Sequence, residues 1–159
     1  MKPTVYLETT VISYLTAWAS RDVVRLAQQQ QTREWWDNQR DNFELVCSEL
    51  VEQQAPAGDQ TAAADRLKII KTLKLLRVAP ASQTLAANLI TRLHLPTPVH
   101  SDALHVAIAA TNGIEYLLTW NCRHLANAVW RPRIEQVCRD NGLEPPTICT
   151  PTELTEAAP

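Results

Sequence analysis

Three segments of this chain carry an acid or an amide just past an apolar stretch, and a fourth carries one at the start of such a stretch. In "TVYLETTVISYL", residues 4 to 15, Glu8 ends the run Thr4 to Leu7 and is followed by Thr9 and Thr10. In "PVHSDALHVAIAA", Asp102 opens the most apolar run of the chain. Asn121 follows "YLLTW", and Glu49, Glu52 and Gln54 follow "FELVC". Carboxylates brought to one place repel one another, and a divalent cation is the simplest offset. Oxygen ligands favour Mg²⁺ or Mn²⁺ over zinc. Such an ion, held by a few carboxylates, positions a phosphodiester and activates water for in-line attack. Convergence of these segments therefore predicts metal-dependent phosphodiester hydrolysis.

Each position also has an ordinary reading. Asp102 is equally compatible with a first-turn acid set against the helix dipole. Glu8 is compatible with a solvated strand end, Asn121 with a turn residue or N-cap, and Glu49 and Glu52 with a wet helix face. What joins them is their common placement after strands. His105 follows Asp102 by three residues, so the two side chains could meet on a helix; it is expected as a satisfied, mostly buried histidine. His124, in "NCRHL", is a candidate phosphate contact. The chain has no GxGxxG, GxxxxGK[ST] or GxSxG motif and only three glycines. A phosphate-cradling loop is hard to build from so few.

The elements that must position these residues follow from apolar spacing. Strands are expected over 4–7, 43–47, 75–79, 115–120 and 146–151. Helices are expected over 9–17, 21–41, 48–55, 59–74, 82–95 and 101–113, with "NCRHLANA" (121–128) and "RPRIEQVCRDNG" (131–142) also helical. In the long second helix, Val24, Leu26 or Ala27, Gln31 and Trp35 follow helical spacing, and the four glutamines 28–31 are expected on a solvated face. Ser48 and Asp59 read as N-caps, and Gly113 and Gly142 as helix stops. The strand runs are continuously apolar, as in strands covered on both faces. The expected fold class is α/β, a three-layer α/β/α sandwich on a mostly parallel central sheet. Sites in such sheets form outside the carboxyl ends of the strands, where Glu8, Asn121 and the 49–54 segment fall. One domain is expected over 1–150, followed by a polar C-terminal tail, 151–159.

Composition narrows the function classes. The chain has 159 residues, 45% hydrophobic and 20% charged, as in an ordinary globular protein rather than a disordered one. A net charge of −2 excludes coating nucleic acid with the whole surface; local positive charge would have to serve. No apolar run approaches the ~20 residues that span a bilayer, and the N-terminus lacks a signal-peptide core. No membrane association and a cytoplasmic location are the expectation. The four cysteines, Cys47, Cys122, Cys138 and Cys149, form no CxxC pair; most are expected to be buried small hydrophobes.

"VYLETTVISYL", "SDALHVAIAA" and "YLLTWNCRHLANA", in this order, resemble the PIN domain, and within it the VapC-like toxins of type II toxin–antitoxin systems. The resemblance covers nearly the whole chain, including "PPTICTPTEL". It implies a parallel α/β/α sandwich, Mg²⁺- or Mn²⁺-dependent ribonuclease activity on RNA, a cognate antitoxin and frequent homodimers. Carried across by position, Glu8 and Asp102 stand at metal-binding aspartates, and Asn121 where many members have a further aspartate. A helix-borne glutamate is expected six residues after Ser48, and that position is Gln54. Glu52 lies about 200° away around a helix and would not simply substitute. Glu8 is one methylene longer than Asp, which displaces an ion by roughly an ångström, an error that can cost about 100-fold in rate. With Asn121 and Gln54 in amide form, two of four expected acids remain. The leading expectation is a ribonuclease in which Glu8 and Asp102 bind the metal and Asn121 and Gln54 orient water or ligands. Arg123 and His124 would hold RNA. The alternative is a catalytically weakened protein of this fold acting as an RNA- or protein-binding module. A Rossmann-like nucleotide binder is a third reading, against which the missing glycine loop speaks.

Overall fold

The computed structural model describes residues 1–155; the last four residues of the expected polar tail, 156–159, lie outside them. Within the described residues, five strands, β1 (Thr4–Leu7), β2 (Glu44–Ser48), β3 (Lys74–Leu76), β4 (Tyr116–Leu118) and β5 (Thr147–Cys149), form one sheet in the order β3-β2-β1-β4-β5. Every pairing is parallel: Tyr6 sits opposite Val46 on one side and Leu117 on the other. β1 is therefore central, and its buried run Val5, Tyr6 and Leu7 explains the absence of alternation in the sequence.

Among the described residues, seven α-helices cover this sheet: α1 (Thr9–Thr16), α2 (Val23–Gln39), α3 (Glu49–Gln54), α4 (Gln60–Ile70), α5 (Pro80–Leu93), α6 (His100–Thr111) and α7 (Trp130–Asp140). α1 packs on α2 and α4, while α5 packs on α6 and α7. This is the α/β/α sandwich on a parallel sheet that the sequence leads one to expect. Apolar side chains from all five strands and most helices join in a single buried cluster. α6 buries Ala103 and every residue from His105 to Ala110, so it lies deep in the molecule and carries Asp102 in its first turn.

Ser48 and Asp59 cap α3 and α4, accepting from Val51 N at 3.3 Å and Ala62 N at 2.9 Å. Gly113 and Gly142 follow α6 and α7 with φ of 65° and 76°, the left-handed turn that closes a helix.

Three expectations are corrected. "NCRHLANA" is a run of turns, not a helix: Asn121 Oδ1 accepts from His124 N, and Leu125 N and Ala126 N both donate to Asn121 O. Side-chain bonds to local backbone compete with helix here. β3 ends at Leu76, because Val78 N donates to Glu49 Oε2 instead of a ladder partner and Pro80 already opens α5. α2 keeps Trp35 inward but turns Gln29 and Thr32 in beside it, while Val24 is 67% exposed and Gln31 is also exposed. The inward polar groups are satisfied. Gln29 accepts from Ser20 N and donates to Trp18 O, and Thr32 accepts from Trp120 Nε1 at 2.6 Å.

Beyond β5 the chain stays on the body. Pro151 and Leu154 are buried, and Trp35 Nε1 donates to Leu154 O at 2.6 Å. Cys47, Cys138 and Cys149 are buried; Cys122 is exposed.

Candidate active site

Glu8 leaves the carboxyl end of the central strand and becomes the N-cap of α1. Its backbone N–H still donates to Leu118 O, at 3.0 Å, so the sheet holds it in place. The side chain is 4% exposed and folds back onto its own helix. Oε2 accepts from Thr10 N at 2.8 Å; Oε1 accepts from the Thr10 hydroxyl at 2.8 Å and from the Thr119 hydroxyl at 2.5 Å. A carboxylate offers about four acceptor directions. Three are taken, and one on Oε2 remains for another partner. Thr10 Oγ1 also accepts from Trp120 N, at 2.9 Å, tying α1 to the segment after β4.

Asp102 and Asn121 meet across this edge. The Asn121 side chain lies against the Asp102 carboxylate and lowers its pKa, and its Oδ1 accepts from His124 N at 3.0 Å. The amide nitrogen is therefore the group that faces Asp102. Burial pushes the Asp102 carboxyl above the ordinary carboxylate range, and the charge of Glu8 pushes it further. The Asn121 side chain and the charge of His124 pull the other way. The apolar side of Asp102's surroundings is a small cavity lined by Leu89, Val99, Leu125 and Trp130, with His124 beside it. The fold thus places Glu8 within electrostatic reach of Asp102, on different segments.

Gln54 ends α3 and reaches across to α1. Its Oε1 accepts from the Thr9 hydroxyl and from His105 Nε2, the latter at 3.0 Å. His105 Nδ1 lies 2.6 Å from the Tyr6 hydroxyl, which lies 2.6 Å from Ser48 Oγ. His105 is 1% exposed, and burial lowers its pKa. Burial likewise raises the Tyr6 phenol, against the Ser48 hydrogen bond. His105 is thus a satisfied, neutral histidine.

Glu49 is spent elsewhere, on Val78 N. Glu52 is exposed; burial pushes the Cys47 thiol up to about 12, and the Glu52 charge adds to that as a lesser cause. Arg123 is exposed, and His124 is half-buried beside Asp102. Thr10 and Thr119, which bind Glu8, were not singled out from sequence. Their signal was present as the threonine pair after Glu8 and the threonine closing "YLLT".

The donor set can be tested against a divalent cation. Among the described residues, no cluster of three or more His, Cys, Asp or Glu side chains is placed to hold one. Mg²⁺ and Mn²⁺ bind through one or two carboxylates plus waters and substrate phosphate, and for such an ion Glu8, with one acceptor direction left, and Asp102 are the acids at this edge. They do not make a four-acid centre. The Gln54 oxygen, already accepting twice, does not fit as a ligand.

No protein-family model and no curated protein matches the chain. Solved structures do. A chain of VapBC2 from Rickettsia felis, bound to a DNA fragment from its promoter, aligns with a TM-score of 0.59 at 12% identity, covering 92% of this chain and 98% of that one. DNA-bound VapBC from Salmonella typhimurium gives 0.57 at 12%, covering 95% and 99%. VapC20 from Mycobacterium tuberculosis, a sarcin–ricin loop cleaving toxin, gives 0.54 at 14%, covering 71% and 86%. The chain therefore has the PIN-like α/β/α fold of these solved toxin–antitoxin structures.

Proposed function

We propose that this chain is an Mg²⁺- or Mn²⁺-dependent endoribonuclease, the toxin of a toxin–antitoxin pair. The observation that carries this reading is the placement of Glu8 and Asp102 at the carboxyl edge of the sheet, close enough for the Glu8 charge to raise the Asp102 pKa. A site that holds two acids in mutual repulsion is suited to a cation. The likeness of fold to VapBC and VapC20 supports the toxin assignment, an antitoxin partner and RNA as substrate.

Glu8 and Asp102 would hold the ion. When bound, it would lower the pKa of the attacking water and offset the charge of the phosphodiester. The chain's own residues do the rest. Thr10 and Thr119 fix the Glu8 carboxylate in one orientation. The Asn121 amide lies beside the Asp102 carboxylate, and its oxygen anchors the turn that carries His124. The exposed Arg123 would place positive charge where RNA approaches, as a protein of net charge −2 requires, with His124 beside it as a further phosphate contact. No helix among the described residues is long and apolar enough to cross a membrane; a homodimer in the cytoplasm is the assembly and location we infer.

The test is cleavage of single-stranded RNA with Mn²⁺ and with EDTA. Wild type should cut only with the metal, and Asp102→Asn should lose at least ~100-fold in rate. Equal cleavage by Asp102→Asn would sink the site assignment. A second reading keeps the fold and drops the chemistry, making the chain an RNA- or protein-binding module. The amides at Gln54 and Asn121 favour it, since each removes a negative charge from the edge. RNA binding without cleavage at any Mn²⁺ concentration would establish it.

A further inference from the structure

The buried chain Ser48–Tyr6–His105–Gln54–Thr9 fixes which end of the Gln54 amide is offered to the site. Two hydrogen arrangements connect these heavy atoms, and they differ in what happens to the buried protons. In one, the Ser48 hydroxyl donates to Tyr6, Tyr6 donates to His105 Nδ1, and His105 Nε2–H donates to Gln54. The Thr9 hydroxyl donates to the same Gln54 oxygen. Ser48 Oγ meanwhile accepts from Val51 N at 3.3 Å. Every hydroxyl and ring proton then has an acceptor.

In the reverse arrangement, His105 Nδ1–H donates to Tyr6, Tyr6 donates to Ser48, and the Gln54 amide nitrogen donates to His105 and Thr9. The Ser48 hydroxyl proton then has no acceptor. Ser48 is 0% exposed, so water cannot take the proton. Leaving a buried donor unmet is costly. The first arrangement is the one that satisfies the interior.

Its consequence reaches the site. The Gln54 oxygen has both acceptor directions filled, by Thr9 and His105. The amide nitrogen makes no hydrogen bond among the described residues. Gln54 is half-buried, and the nitrogen is not sealed from solvent. Thr9 is the next residue after Glu8, so this free donor stands beside the acid edge.

We propose that the Ser48–Tyr6–His105 relay makes Gln54 a hydrogen-bond donor to a phosphate oxygen of the RNA, and not a metal ligand. This rests on the nuclease reading above. His105, Tyr6 and Ser48 are positioning residues that act through Gln54. The contact would take the place of a carboxylate: a donor that binds substrate where an acid would bind metal.

Three measurements test it. First, ¹⁵N NMR of His105 reads the tautomer without metal or substrate. Nε2 should be protonated and Nδ1 bare; protonation at Nδ1 overturns the proposal. Second, Mn²⁺ titration in the absence of RNA compares Gln54→Met with Gln54→Glu. Gln54→Met should leave the Mn²⁺ affinity within about twofold, since no ligand is lost, whereas Gln54→Glu should tighten it by roughly tenfold or more as an acid is added. Weaker Mn²⁺ binding in Gln54→Met overturns the proposal.

Third, steady-state cleavage of single-stranded RNA should show KM raised roughly tenfold in Gln54→Met, the loss expected for a hydrogen bond to a charged group. Tyr6→Phe should mix the His105 tautomers and raise KM in the same direction with Mn²⁺ affinity unchanged, which general loosening of the fold would not produce. An unchanged KM in Gln54→Met removes the phosphate contact. A wild type that neither binds Mn²⁺ nor cuts RNA brings down the nuclease reading and the phosphate contact with it, while the tautomer still decides the orientation of the amide.

Discussion

Glu8 and Asp102 are both acids at one edge, yet the fold treats them oppositely. Glu8 receives three hydrogen bonds, one of them the cap of α1. Asp102 is held up by burial and by Glu8 itself. Glu8→Ala should therefore destabilise the protein by ~2–4 kcal/mol, the sum of a lost cap and two lost hydroxyl bonds, measured as a lower urea midpoint. Asp102→Asn should do the reverse in EDTA, raising Tm at pH 7, because it removes the charge that burial and Glu8 disfavour. The pH dependence follows from the direction of the shift. With its carboxyl raised only in the folded state, the folded protein binds more protons than the unfolded chain across that window. Stability then falls as pH rises through it. The gain from Asp102→Asn should vanish as pH drops below the ordinary carboxylate range. A gain that persists at low pH would show that its cause is not the Asp102 charge. The two acids themselves were legible in the sequence as strand-end and helix-start carboxylates. Their unequal environments were not, because Thr119 is 111 residues from Glu8 along the chain.

At the scale of elements, the site depends on short pieces held by distant ones. α3 has only six residues and cannot be stable alone. Arg66, on α4 and 9% exposed, grips the chain just past it, with Nε donating to Ala55 O at 2.9 Å and a second nitrogen to Ala57 O. A cation on the last carbonyls of a helix also complements its dipole. Arg66→Met should cost ~1–3 kcal/mol and speed amide hydrogen exchange in α3 before the rest of the fold opens; uniform exchange across the molecule would contradict this. Capping was readable from sequence at Ser48 and Asp59, since a cap is a local bond between a side chain and the backbone three residues on. The inward face of α2 was not. Helical spacing favoured Val24 and Gln31, but tertiary partners for Gln29 and Thr32 let polar residues turn inward and left Val24 in water. The turns at 121–128 likewise defeated a helical reading, because the Asn121 side chain competes for the backbone it would have propagated.

The whole molecule joins these elements around one central strand. β1 brings Glu8 to the edge, β4 brings Thr119 and the Asn121 turn, β2 and α3 bring Gln54, and α6 brings Asp102. A cation bound between Glu8 and Asp102 should stabilise the entire fold, since it binds the folded chain alone. At 100 times its dissociation constant Mn²⁺ adds ~2.7 kcal/mol, a rise in Tm of roughly 5–10 °C. Wild type should show that rise and Asp102→Asn should not; equal rises would place the ion elsewhere. The sequence by itself determined the parallel α/β/α sandwich, through continuous apolar strands alternating with helices, and the strand-end positions of the acids. Those are properties of local spacing and of one topological rule. Only the tertiary structure decided what each side chain meets: that Glu8 is nearly saturated, that Glu49 is used for a loop, and that the Gln54 oxygen is turned inward by a relay from Ser48. Such outcomes depend on contacts between residues 29 to 111 positions apart, and on where a buried proton can find an acceptor, which no reading along the chain contains.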